Sequence, residues 1–134
     1  MIVNMLSELT ISGVVDRGIA NSERIAIQVN ETINTGQYGV MVGHQTVNCP
    51  VEMAIPIKDH LFWFGDAILN KNDWIFIYTG PGKAFVSDLE NGNKLYSTYW
   101  DKQQTIFAQT NIVPMLFKAD AVQVGGVAQN ALQN

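Results

Sequence analysis

The chain is 134 residues long, 47% hydrophobic and only 15% charged, with twelve acidic and eight basic residues for a net charge of −4. A length in this range predicts one domain that buries roughly two-thirds of its unfolded surface, and so apolar a composition excludes global disorder. The basic residues are scattered with no Lys/Arg run, which argues against nucleic acid and anionic membranes as partners, since both attract clustered cations.

Short β-branched and aromatic runs separated by Gly, Asn, Asp and Pro predict a β-rich domain. The first strand is expected at 9–15, closed by Asp16-Arg17-Gly18, and the second at 24–33, where Ile25, Ile27, Val29 and Ile33 alternate with polar or small neighbours. A turn at 34–36 leads into a third strand at 37–42, with a hairpin as the simplest connection. In that strand Tyr38, Val40 and Val42 share a face and Gly39 favours close packing. Residues 43–59 carry Pro50 and Pro56 without clear periodicity and read as a long, partly extended loop.

A short aromatic strand at 61–64 and a polar turn at 70–73 precede a strand at 74–79. Trp74, Phe76 and Tyr78 point one way in it and Ile75 and Ile77 the other, the pattern of a central strand whose outer face is covered by a loop or by a partner. A mobile connection follows at 80–93, with strong turn chemistry at 90–93. Further strands are expected at 95–100 and 105–108, and at 112–124 a strand pair or one long bent strand with Pro114 near its start. Residues 1–124 thus form the domain, and 125–134 a flexible tail in which 127–132 has room for one helical turn.

Asn4 and Glu8 interrupt the apolar start, and the first basic residue is Arg17, so no signal peptide is expected. Apolar runs such as 112–117 fall short of the ~20 residues that cross a bilayer. The single cysteine, Cys49, allows neither an intrachain disulfide nor a Cys-based zinc site within one chain, which suits a reducing cytoplasm.

Chemistry-bearing motifs are sparse. Gly80-Pro81-Gly82-Lys83 lacks the longer spacing and following helix of a phosphate loop. His44 and His60, even with Asp59 and Asp66 nearby, have no metal-ligand spacing, so neither metal nor cofactor is expected. Cys49 has no helix N-terminus to activate it, there is no Gly-x-Ser-x-Gly elbow, and Asp16, Asp66, Asp88 and Asp101 sit in separate turns. A hydrolase would need His44 or His60 to converge with a carboxylate. The expected class is non-enzymatic.

Aromatic side chains supply contact area for proteins, nucleobases and sugars alike. Trp63, Trp74, Tyr96, Tyr99 and Trp100 therefore read either as core or as the lining of a groove. With the cations that would serve an anionic ligand, the candidate binding residues are Lys58, His60, Trp63, Lys83, Tyr96, Tyr99 and Trp100, and Arg17 is a further cation to place. The leading reading is an interaction or scaffolding module that binds a protein partner or itself as a homo-oligomer. The alternative is a binder of a small, nucleotide-like ligand, with loops 43–59 and 80–93 closing a pocket.

The order of these segments resembles the lamin-tail domain. Arg24-Ile25-Ala26-Ile27-Gln28-Val29-Asn30 is similar to that family's early strand ending in Asn, and Gly36-Gln37-Tyr38-Gly39-Val40 to its next turn and strand. Phe62-Trp63-Phe64-Gly65-Asp66, Leu69-Asn70-Lys71-Asn72-Asp73-Trp74-Ile75 and Tyr78-Thr79-Gly80 follow in the family's order, while its usual Trp-Asn pair is here Phe107-Ala108. The resemblance covers roughly residues 9 to 124. It implies an all-β, immunoglobulin-like antiparallel β-sandwich of about seven to nine strands with little helix. It also implies a binding or scaffolding role, with no catalytic residues.

Overall fold

The computed structural model describes residues 5–46 and 54–126. Cys49 and the helical turn expected at 127–132 lie outside the described residues. The fold is all-β: β1 (Leu9–Val15), β2 (Arg24–Val29), β3 (Ile33–Asn34), β4 (Tyr38–His44), β5 (Ile55–Trp63), β6 (Ile68–Leu69), β7 (Trp74–Tyr78), β8 (Phe85–Asp88), β9 (Lys94–Tyr99) and β10 (Ile112–Lys118). One 3-10 turn, Thr35–Gln37, is capped by the Asn34 side chain, which accepts from the Gly36 N–H at 2.8 Å.

A five-stranded sheet has the order β1-β2-β7-β9-β8, a three-stranded sheet the order β10-β4-β5, and β3 pairs with β6. Every pairing is antiparallel except β7 with β9, which run parallel because β8 takes the sheet edge and the chain turns back between β7 and β8. Alternation sends Ile25, Ile27 and Val29 of β2 and Ile75 and Ile77 of β7 inward. There they meet Tyr38, Val40 and Val42 of β4 in one core with Leu9, Phe64, Leu69 and Phe107.

Several expectations need correcting. The second strand stops at Val29, because Asn30 turns its amide to Ser7 and Thr10. The chain then crosses to the other sheet, so β2 and β4 are not a hairpin. Both ends of the expected loop at 43–59 are strand, while 47–53 lie outside the described residues: β4 runs to His44, which pairs with Ile55, and Gly43 pairs with Pro56. A bulge between those pairs and Met41–Leu61, with Asp59 at φ 64, hides the alternation that would have revealed β5.

The connection at 80–93 contains β8, joined to β9 by a turn in which Gly92 adopts φ 87. Residues 105–108 form no strand. The Glu23 carboxylate, 1% exposed, accepts from the Ile106 N–H at 2.8 Å and the Phe107 N–H at 2.9 Å, taking the place of a ladder. It also accepts from the Gly18 N–H at 2.9 Å and the Thr79 hydroxyl at 2.7 Å. The final strand ends at Lys118, short of 124, and Val122 and Val124 are exposed.

Candidate interaction surface

Antiparallel pairing sets Phe117, Gly39 and Trp63 in one row across the three-stranded sheet, and Met115, Met41 and Leu61 in the next. Since Tyr38, Val40 and Val42 point into the core, both rows face outward. The two glycines of β4 shape this face. A Cβ on Gly39 would stand 2.5 Å from the Phe117 ring and 2.8 Å from the Phe62 carbonyl oxygen, and one on Gly43 would stand 2.5 Å from the Met115 sulfur. The central strand therefore lacks side chains where Phe117 and Met115 lie across it. Trp63 completes the upper row with its ring 5.8 Å from that of Phe117. No residue in these rows is charged, yet Leu61 is 56% and Trp63 46% exposed.

The outer face of the five-stranded sheet is aromatic as well, but it carries its own cover. Trp74, Phe76 and Tyr78 share it with Leu95, Ser97 and Tyr99. The Arg24 guanidinium lies 5.1 Å from the Phe76 ring centre and 5.6 Å from that of Tyr78. It is fixed by the Asp16 carboxylate at 3.2 Å and the Ser22 carbonyl at 2.9 Å. Tyr99 stacks on Tyr78 at 5.0 Å, and the Gly82 backbone presses on Tyr99 so closely that a Cβ would come within 2.5 Å of its ring. Of the two covers considered for β7, a loop supplies part and an arginine from the neighbouring strand a further part, while Phe85 of β8, paired with Ser97 on the same face, stays 50% exposed. The Ser22 hydroxyl and Arg24 together hold the Asp16 carboxyl below its ordinary pKa.

The candidate binding residues fall on separate surfaces. Trp63 lies on the apolar face just described, and Tyr99 on the outer face of the other sheet. Tyr96 and Trp100 pack against the core, Trp100 with its ring 5.6 Å from that of Phe62. His60 contacts the Lys58 carbonyl oxygen through Nδ1 at 3.0 Å, both on β5, whereas Lys83 is exposed in the connection from β7 to β8. His44 meets the Asn111 amide at 2.9 Å. Arg17 donates through Nη1 to the carbonyls of Phe107, Gln109 and Ile112, at 3.2, 3.2 and 3.0 Å, so it fastens the chain entering β10. Among the described residues no three His, Cys, Asp or Glu gather as a metal would need, and no helix is long and apolar enough to cross a membrane.

A polar cleft of about 390 Å³, open to solvent, lies between Glu8, Glu31, Asn34, Gln37 and Lys118, over Tyr38. The Tyr38 hydroxyl donates to Glu8 at 2.5 Å, and this bond, aided by nearby backbone N–H groups and by Lys118 at 3.7 Å, lowers the Glu8 pKa to about 2 against the effect of burial. Burial and the same carboxylate push the Tyr38 phenol upward. The cleft thus presents the Glu8 carboxylate, Lys118 and several hydrogen-bonding groups to solvent.

Sequence reasoning found Trp63 but missed Met41, Leu61, Met115 and Phe117, and with them Val113, which pairs with Gly43 in the adjoining row. The available signal was period two in two segments, 113-115-117 and 61-63, set against Gly39 and Gly43. It was masked because 112–117 is apolar at every position. No family model, curated protein or solved structure matches the chain, so the functional reading rests on these residues alone.

Proposed function

We propose that the chain is a non-enzymatic interaction module that binds protein through the outer face of its three-stranded sheet. The observation that carries this reading is the uncharged surface formed by Trp63, Phe117, Met41, Met115 and Leu61, with Leu61 and Trp63 about half exposed. Aromatic residues and methionine are the side chains enriched at interface centres, where charge is depleted. A lamin-tail-like architecture and a reducing, cytoplasmic setting for Cys49 belong to the same reading.

The test is capture from host lysate on immobilised wild-type chain and on Leu61→Asp. The wild type is expected to retain a protein, another copy included, that the variant retains about tenfold less. Equal retention by both rejects the reading, as does no retention by either when the wild-type chain is also monomeric. The polar cleft beside Glu8 supports the small-ligand alternative less well, because it is open to solvent and lined mostly by polar groups.

A further inference from the structure

Resting on that reading, we propose that the partner for this face is a second copy of the chain, packed sheet against sheet about a two-fold axis.

Three features point there. First, an isologous contact sets each patch against itself, so any net charge on it would repel its own copy. The rows Phe117-Gly39-Trp63 and Met115-Met41-Leu61 contain none, although the whole chain carries −4. Second, the two rows complement each other. A two-fold axis running across the strands between them lays the aromatic row of one copy on the methionine and leucine row of the other. Phe117 then meets Met115 of the other copy, and Trp63 meets Leu61. Methionine sulfur packs well on aromatic rings and adapts to their shape.

Third, the sheet edges disfavour the competing mode, strand addition. β1 has a bulge between Ile11 and Gly13, and β8 is four residues long. β10 carries Pro114, and β5 carries Pro56 and the left-handed Asp59. Each device opposes edge-to-edge pairing and leaves the faces available. With the next row, Val113-Gly43-Pro56, included, strands about 4.8 Å apart and a rise of about 3.3 Å per residue make the patch roughly 14 by 17 Å. That is well below the ~800 Å² per partner of a standard stable interface, so the dimer is weak and reversible.

Sedimentation velocity of the purified full chain from about 1 to about 300 µM reads the association directly. The average mass should rise from 14.8 kDa toward twice that value. Leu61→Lys and Trp63→Glu should each stay monomeric throughout, with unchanged circular dichroism because both sites are about half exposed. An equal mixture of the two variants should regain the dimer, since the axis sets the new lysine against the new glutamate. A wild type that remains monomeric at the highest concentration overturns the proposal, as does a Leu61→Lys chain that still dimerises or a mixture that stays monomeric. If the wild type is monomeric yet lysate capture still depends on Leu61, the interaction reading stands with a different protein as partner. If capture fails too, both fall.

Discussion

Glu23 shows how one side chain substitutes for secondary structure. Its two oxygens accept from the backbone of Gly18, Ile106 and Phe107 and from the Thr79 hydroxyl, at a position with 1% exposure. Removing such an acceptor leaves several buried donors without partners, each costing about 1–3 kcal/mol, partly recovered if water enters. Glu23→Ala is therefore expected to lower stability by about 3–5 kcal/mol in urea unfolding, with a smaller loss for Glu23→Gln, which keeps one acceptor oxygen. Asp73 plays a similar part at the opposite end of β2 and β7. Burial disfavours its charge, but bonds from the N–H groups of Asn70 and Lys94 and from the Asn93 amide outweigh that and lower its pKa. Nothing in the residue types at 23 and 73 distinguishes them from solvated turn carboxylates, because their donors come from distant parts of the chain.

At the scale of elements, legibility followed periodicity. β2 and β7 were readable because their alternation is regular, and β1 and β9 because their β-branched and aromatic runs stop at turn residues, Asp16 and Asp101, both at positive φ. β5 was not, because its bulge breaks the alternation, and β8 was hidden by its brevity at an edge. The role of Gly39 was legible, since a glycine between Tyr38 and Val40 is best explained by a close approach from the other side. That approach is made by Phe117, and it yields a prediction. Gly39→Ala places a Cβ against both the Phe117 ring and the Phe62 carbonyl. It is expected to cost about 1–3 kcal/mol and to change Trp63 fluorescence as the pair separates, measured by thermal unfolding and emission spectra.

For the molecule as a whole, the depressed carboxylates set the response to acid. Glu8 has a folded pKa of about 2 against an ordinary 4.5, so its contribution is complete above pH 4.5 and is lost as pH falls toward 2. Asp16 and Asp73 are shifted in the same direction. Stability should thus decline over this acid range, and Tyr38→Phe, which removes the main cause of the Glu8 shift, should weaken that dependence in denaturant titrations at several pH values. The overall architecture, an all-β domain with β7 in the interior of its sheet, was legible from the strand pattern. The parallel β7–β9 pair and the placement of β10 beside β4 were not, because both depend on crossings between distant segments. The Glu23 network has a further consequence for the order of assembly. Its donors at Ile106 and Phe107 lie 83 and 84 residues beyond it in the chain, so during synthesis this carboxylate stays hydrated until most of the polypeptide has emerged. Phe107 then seals the core and Arg17 fastens the chain that enters β10, making closure of the sandwich a late event in folding that a truncated nascent chain cannot reach.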